Sequence, residues 1–264
     1  MEQQFDKKIP VYTDIEENVA YLRKELGVGK SFDVIHLDVE YAEHKMAMFL
    51  VDGLVKDDLL HLLMKFLAKV NKEELEKDVL KKLLRTYLPY IEISTTDDLY
   101  EVVSGVLSGP TALVIDGINE VILIDARTYP VRGPQEPDME RVVRGSRDGF
   151  VETIVFNTAL TRRRVRDPSL RMEFMQVGRR SKTDVVLCYI EDIADTNTVE
   201  KLKNTISQID TDGLPMADKT IEEYISGSYW NPFQLYALQK DLIQLPLIYL
   251  KVTSLFLLMV PLLL

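Results

Sequence analysis

The sequence predicts an α/β fold of the α+β kind, built as two small mixed-sheet subdomains in series and followed by an apolar C-terminal tail. Two β-rich runs, ALVID and VILIDA, lie on either side of Gly117-Ile118-Asn119 and are typical of a β-hairpin. A strongly amphipathic run over 57–70 indicates a helix. Further along the chain a strand pattern and a helix pattern recur, and this repeated order predicts the second subdomain.

Charge and composition exclude several classes of protein. The net charge of -10 over 264 residues argues against a general nucleic-acid binder, because such proteins neutralise phosphates with Lys and Arg. Cys188 is the single cysteine, which excludes an internal disulfide. His36, His44 and His61 lack the carboxylate pattern of a metal site, so no metal and no cofactor is expected. The first residues lack the apolar core of a secretory signal, and the body of the protein is expected to start in the cytosol.

Residues 1–29 are predicted to form an arm and one helix. Thr13 is a candidate N-cap and Glu16 supplies the carboxylate of a capping box. Apolar residues at helical spacing follow as far as Leu26. Gly27 is expected to end the helix, since glycine adopts the left-handed conformation of a C-terminal cap.

The first α/β subdomain is predicted over 30–130. It opens with a strand, FDVIHLDVE, and an antiparallel partner, KMAMFLVDG. The amphipathic helix over 57–70 and a charged helix follow. A further helix begins near Thr96 and is broken at Gly109-Pro110, just before the hairpin around Gly117.

An exposed linker is predicted over 131–141, where prolines and acidic residues lack any apolar period. The second α/β subdomain is predicted over 142–236. Within it, 184–190 is a candidate core strand, and 198–209 has the pattern of an amphipathic helix.

The segment 142–166 joins two glycines to a dense arginine cluster. Gly145 and Gly149 lack both the GK[ST] ending of a phosphate-binding loop and the spacing of a dinucleotide fingerprint. We interpret them as positions for a positive-φ turn, which Arg144 and Asp148 brace by hydrogen bonds.

Arg162, Arg163, Arg164 and Arg166 place four guanidinium groups within five residues. In a helix they would point to more than one side, which disfavours a single anion site. Three interpretations stay open: a solvated or internally paired cluster, a contact with another subunit or domain, and a contact with anionic lipid or nucleic acid.

The amino-acid sequence of this region resembles that of a known family. EPDMERVVRGSRDGFVETIVFNTALTRRRVR, followed by RSKTDV, CYIEDIAD and DGLPMADKTIEEYI, closely resembles the GerA-type spore germination protein A-subunit family. In that family a VVRG-x-x-DGF-x-E segment precedes an N-T-x-L-x-RRR-[IV]-R segment. The resemblance covers nearly the whole chain up to Tyr236.

The resemblance implies a soluble N-terminal region of two α/β subdomains, followed in the family by a membrane domain of several helices. It implies no enzyme activity. The expected role is assembly or signal coupling of a germinant receptor or ion-release channel complex in the spore inner membrane, with this region on the cytosolic, spore-core side. Expected partners are other germination membrane-protein subunits and, in a homo-oligomer, further copies of the chain. The alternative is a sensing domain that binds a small nutrient germinant between the two subdomains.

The residues that match the family motif are expected to make domain or subunit contacts. They are Arg144, Gly145, Asp148, Gly149, Asn157, Thr158, Arg162, Arg163, Arg164 and Arg166.

The tail, 237–264, departs from the family pattern. The family would continue with TERPD, then EGH-I and VDGSP, whereas this chain continues ALQKDLIQLPLIYLKVTSLFLLMVPLLL. Read one base out of frame, the codons of LQKD permit TERP and those of LLMVPL permit VDGSP. We therefore hypothesise a frameshift, and an intact reading frame around the Tyr236 codon would contradict it. A truncated membrane segment is the alternative. The tail is expected to pack poorly or to lie as an isolated helix against the second subdomain.

Overall fold

The computed structural model describes residues 8–70, 79–87, 92–128, 153–213, 221 and 223–225, and the backbone of 237–238, 248–252 and 255–259. These residues fall into two compact units. The first unit takes residues 8–29, 33–128 and 166–168, and the second takes 30–32, 153–165 and the described residues from 169 onward. The predicted linker, 131–141, and the start of the predicted second subdomain, 142–152, lie outside the described residues.

The first unit is a five-stranded antiparallel sheet with strand order β1-β2-β4-β5-β3. Its elements in chain order are α1 (Ile15–Leu26), β1 (Val34–Tyr41), β2 (His44–Val51), α2 (Asp57–Leu67), α3 (Val79–Lys82), a π-helical turn (Leu83–Tyr87), β3 (Glu92–Thr96), α4 (Leu99–Ser108), β4 (Thr111–Ile115) and β5 (Val121–Asp125). The predicted hairpin is confirmed as β4 and β5, which pair in antiparallel register.

Helix α1 joins the first unit rather than standing apart from it. It contacts β2, β4 and α4, so the described part of segment 1–29 packs on the sheet. The cap is Asp14, not Thr13, because the Asp14 side chain accepts a hydrogen bond from the Glu16 backbone N–H at 2.9 Å. Gly27 ends the helix with φ 68°, as predicted.

The opposite face of this sheet packs against α2. Alternate residues of β2 point to this side, and Met46 and Met48 are buried there against Leu63 and Leu67 of the helix. Helices therefore cover both faces of the sheet, which accounts for the unbroken run of buried residues along β4.

The second unit has a five-stranded sheet with strand order β6-β7-β9-β10-β8. Its elements are α5 (Ile154–Arg164), β6 (Leu170–Val177), β7 (Thr183–Ile190), α6 (Thr196–Ser207), β8 (Ala237–Leu238), β9 (Ile248–Val252) and β10 (Leu255–Met259). Counted within each unit, the strand order is the same in both sheets. The recurring strand and helix patterns predicted an α/β fold with two subdomains, and this fold class is confirmed.

The prediction for the tail was wrong where the structure describes it. The backbone of 248–252 and 255–259 is extended, not helical, and β9 pairs with β7 in antiparallel register, with Leu250 opposite Leu187. An unpaired edge of β7 would leave backbone donors and acceptors without partners, and an apolar segment of high strand propensity satisfies them. Within the described residues, no helix has the length and apolar character needed to cross a bilayer.

A polar network fixes α6 on the second sheet. Lys203 of α6 pairs with Glu173 of β6 at 2.7 Å and with Glu200 at 2.9 Å. The Tyr189 hydroxyl donates a hydrogen bond to the same Glu173 carboxylate. Burial, followed by this bond to Glu173, raises the pKa of Tyr189 above its ordinary value. Around the network, Val199, Leu202 and Ile206 are buried against β7.

Replacing Lys203 by methionine is expected to lower the free energy of unfolding by about 1–2 kcal/mol. Methionine keeps an apolar stem of similar length, but it leaves the half-buried Glu173 carboxylate without its cation. Urea denaturation followed by circular dichroism measures the loss. Lys201→Met, an exposed position on the same helix, serves as the control and should change stability by less than about 0.5 kcal/mol. Equal losses in the two variants would contradict the role of the network.

Candidate functional site

The arginine motif lies on α5, a helix that is buried on most of its sides. Asn157, Thr158 and Thr161 are all at most 3% exposed. Their polarity is satisfied partly within the helix: the Thr158 hydroxyl donates to the Val155 carbonyl at 2.9 Å, and the Thr161 hydroxyl donates to the Asn157 carbonyl at 2.8 Å. Such back-bonding lets a threonine enter a helix core without an unsatisfied hydroxyl.

Arg162 is the largest fully buried side chain among the described residues, with 0% of its surface exposed. Its Nη2 donates to the Ser31 hydroxyl oxygen at 3.1 Å and to the Leu170 carbonyl at 3.2 Å. A guanidinium group carries five N–H donors, so its burial is tolerable only when the surroundings supply acceptors. Ser31 and the start of β6 supply them here.

Segment Lys30–Phe32 lies along β6. The Phe32 backbone N–H donates to the Met172 carbonyl at 2.9 Å, and the Met172 N–H donates to the Ser31 hydroxyl oxygen at 3.0 Å. The Phe32 and Phe174 rings are 5.6 Å apart. Arg162 therefore bonds to a segment that is itself hydrogen-bonded to the sheet, and the three parts form one polar network.

A second ion cluster continues the network to the end of β7. Glu191 pairs with Lys30 at 2.6 Å and with the buried Arg171 at 2.7 Å. The hydrogen bond from Lys30, followed by the charge of Arg171, holds the pKa of Glu191 below its usual range. Both cations therefore bind an ionised carboxylate at neutral pH.

The remaining arginines differ from Arg162. Arg163 and Arg166 are exposed, and Arg164 is half-buried. The cluster thus divides into one core cation and a surface group, because successive residues of a helix point to different sides. The motif positions Arg144, Gly145, Asp148 and Gly149 lie outside the described residues.

The network contains two side chains that the sequence patterns did not single out, Ser31 and Arg171. Ser31 is a lone serine in a loop, and Arg171 alternates with apolar neighbours in a strand; neither position has a local signal of burial. Among the described residues, no group of three or more His, Cys, Asp or Glu side chains could hold a metal ion. Cys188 is buried in β7, in the apolar cluster around Met172.

Comparison with known proteins identifies the family. The Bacillus/Clostridium GerA spore germination protein family matches residues 20–238. Stage V sporulation protein AF of Bacillus subtilis (strain 168) is 42% identical over 230 residues, which are 87% of this chain and 47% of that protein. Spore germination protein GerLA of Bacillus cereus is 28% identical over 227 residues, 86% of this chain and 46% of that protein. The chain spans about half the length of these relatives.

A solved structure shares the fold. The N-terminal domain of the A subunit of the Bacillus megaterium spore germinant receptor GerK3 superposes with a TM-score of 0.71, covering 95% of this chain and 96% of that domain at 22% identity. The family match ends at residue 238, next to Tyr236, where the sequence pattern departs from the family. The match over residues 20–238 and the 42% identity to a sporulation protein agree with the motif, and the chain belongs to the Bacillus/Clostridium GerA spore germination protein family.

Proposed function

We propose that this chain is the N-terminal domain of a spore-membrane germination protein and acts in assembly or signal coupling of a germinant receptor or ion-release channel complex. Its partners are other germination membrane-protein subunits and, in a homo-oligomer, further copies of the chain. The domain lies at the spore inner membrane, on the cytosolic, spore-core side. The motif residues contribute either to the core that holds α5 in place or to the surface that a partner contacts.

The observation that carries this proposal is the exposed side of α5. Phe156 is 45% exposed and Arg163 is exposed seven residues later, two helical turns away on the same side of the helix. Phenylalanine and arginine are both enriched at protein interfaces, and arginine is among the residues that dominate their binding energy. The buried side of the same helix is fixed by Arg162, so the exposed pair is presented by a rigid element.

The names of the relatives support the class of partner. The B. cereus relative is a spore germination protein, and the structural neighbour is a domain of a germinant receptor subunit. A domain of this family that contacts its neighbours through α5 needs no catalytic residues for such a role.

The test is capture of germination subunits from spore membranes by the full-length protein, with and without Phe156→Ala and Arg163→Ala together. We expect the double variant to lose most of the captured subunits while its circular dichroism and melting temperature stay unchanged, because both side chains are exposed. Lys201→Ala, exposed on α6, is the matched control and should retain the partners. Undiminished capture by the double variant contradicts the proposal.

A further inference from the structure

Strand β1 forms one edge of the first sheet and is bonded to a neighbour, β2, on one side. All eight of its residues pair with β2 in an unbroken register, so the strand contains no bulge, and it contains no proline. Natural proteins protect an open edge with a short strand, a bulge or a proline. Because β1 has none of these devices, its edge has the regular geometry that a further strand requires.

Half of the backbone groups of β1 point to the open edge. The Asp52 N–H donates to the Asp33 carbonyl at 2.7 Å, and this pair extends the register between β1 and β2 by one residue. In an antiparallel ladder such bonded pairs recur at every second residue, so the odd-numbered residues of β1 bond to β2. The N–H and C=O groups of the even-numbered residues, which include Asp38 and Glu40, face away from it. Among the strands that the structure describes, β2 alone pairs with β1.

The equivalent edge of the second unit is covered by an extended segment. Counted within each unit, the strand order is the same, and β6 takes the place of β1. Segment Lys30–Phe32 lies along β6, where the Phe32 N–H donates to the Met172 carbonyl at 2.9 Å. The Met172 N–H donates in turn to the Ser31 hydroxyl oxygen at 3.0 Å. An edge of this topology therefore holds an extended segment in one of the two units.

The side chains of β1 define the chemistry that a further strand needs. On one face of the sheet Asp38 and Glu40 are exposed, and 77% of the Asp38 side chain is accessible. On the other face Leu37, Val39 and Tyr41 are partly buried against the apolar core that packs on α2. Side chains of an added strand lie beside those of β1 on the same face. Basic residues on one face and apolar residues on the other therefore complement this edge.

The exposed face retains an excess of negative charge. Lys45 lies opposite Glu40 on β2, on the side away from the edge, and offsets one of the two carboxylates. The His36 side chain on the same face is 5% exposed, and burial lowers its pKa, so the imidazole is neutral at pH 7. The remaining negative charge disfavours an acidic segment and favours a basic one.

We propose that the open edge of β1 binds an extended segment of a partner protein in which basic and apolar residues alternate, adding a sixth strand to the five-stranded sheet. Main-chain hydrogen bonds supply the affinity of such a pairing, and the alternating side chains supply its specificity. The surface lies within the first unit and is separate from the surface of α5, so it does not depend on the proposed function.

The test is titration of the whole chain with a fluorescent eight-residue peptide of alternating lysine and valine, followed by anisotropy. The matched control peptide has the same composition, with all lysines before all valines. We expect saturable binding of one alternating peptide per chain, about fivefold or more tighter than the control, because the control cannot place its lysines on one face of a strand. Equal affinity of the two peptides, or the lack of saturable binding, would overturn the proposal.

Hydrogen exchange of the backbone amides, measured by NMR, locates the bound peptide. The amides of Asp38 and Glu40 face the open edge and should gain at least about tenfold protection when the alternating peptide binds. The amides of Leu37 and Val39 are already bonded to β2 and should change little. Unchanged exchange at Asp38 and Glu40 would contradict the pairing. A dimer of the chain that protects these amides without peptide would assign the edge to a second copy and overturn the choice of partner.

Three variants separate the backbone bonds from the charge. Glu40→Pro removes a donor that faces the open edge without breaking a bond to β2, and is expected to weaken peptide binding about tenfold. Glu40→Gln keeps this donor and removes the charge, so it should weaken binding only about twofold. Glu17→Gln, an exposed position on α1, should leave the affinity unchanged. Circular dichroism checks that each variant is folded, and full affinity in a folded Glu40→Pro variant would contradict the proposal.

Discussion

Replacing Arg162 by alanine is expected to lower the free energy of unfolding by about 3–5 kcal/mol, a large part of the stability of an ordinary domain. The substitution empties the space of the largest fully buried side chain described. It also removes the donors that reach Ser31 and the Leu170 carbonyl. Both effects act together, because a cavity forms where polar acceptors have lost their partner.

The neighbouring arginine provides the control for this result. Arg163→Ala changes the same residue type at the next position of α5, but on an exposed side of the helix. Its effect on stability should stay below about 1 kcal/mol. Urea denaturation of the two variants, followed by circular dichroism and by limited proteolysis, measures the difference in stability. Similar losses at the two positions would show that burial of Arg162 does not determine its effect.

Variants of the two arginines also distinguish an effect on folding from an effect on assembly with partner subunits. Arg162→Ala should lose partner subunits because the domain unfolds more readily, whereas the Phe156 and Arg163 variant should lose them while the domain stays folded. Capture experiments accompanied by melting curves therefore distinguish a core role from a contact role for each residue of the motif.

Replacing Asn18 by leucine is expected to cost about 3 kcal/mol or more of the free energy of unfolding. Asn18 lies on α1 and is fully buried. Its Oδ1 accepts from the Tyr12 N–H at 2.9 Å, and its Nδ2 donates to the carbonyl oxygens of Tyr12 at 2.7 Å and Asp14 at 3.2 Å. Leucine has a similar size but leaves all three backbone groups without this partner.

The loss should appear as release of the chain that precedes α1. Limited proteolysis around Tyr12 and the urea midpoint measure it, and Glu17→Gln on the exposed side of the same helix is the control. Asn18→Asp keeps an acceptor for the Tyr12 N–H, but it places a carboxylate oxygen against the two carbonyl oxygens that Nδ2 contacts, so its stability should fall at least as far as that of the leucine variant. An unchanged midpoint in the leucine variant would contradict the bracing role of Asn18.

Local sequence determined most of the first unit. Gly27 ends α1 because glycine adopts a positive φ without steric cost, and this holds in any fold. The runs on either side of Gly117 form β4 and β5, since short β-branched runs around a turn contain their pairing partner in the same segment. Helices α2 and α6 were evident from the sequence because each has one apolar side, at helical spacing, that faces a sheet.

Tertiary structure decided which residues of α5 and of strand β6 are buried. The apolar and polar residues of α5 have no helical period, because the helix is buried on most sides and carries its polar groups into the core. Strand β6 begins with alternating apolar and polar residues, yet its first three residues are all buried, Arg171 among them, so burial does not follow the alternation. From the sequence the tail was expected to pack poorly or to lie as an isolated helix, whereas the backbone of 248–252 pairs with β7, which offers a complementary edge.

The sequence by itself determined the family and the order of strands and helices in the first unit. It could not determine which arginine enters the core. Arg162 bonds to Ser31, which is 131 positions away, and to Leu170 beyond the end of its own helix. A buried charge is stable only where the fold assembles its acceptors, and acceptors so distant in sequence become neighbours only after the chain has folded.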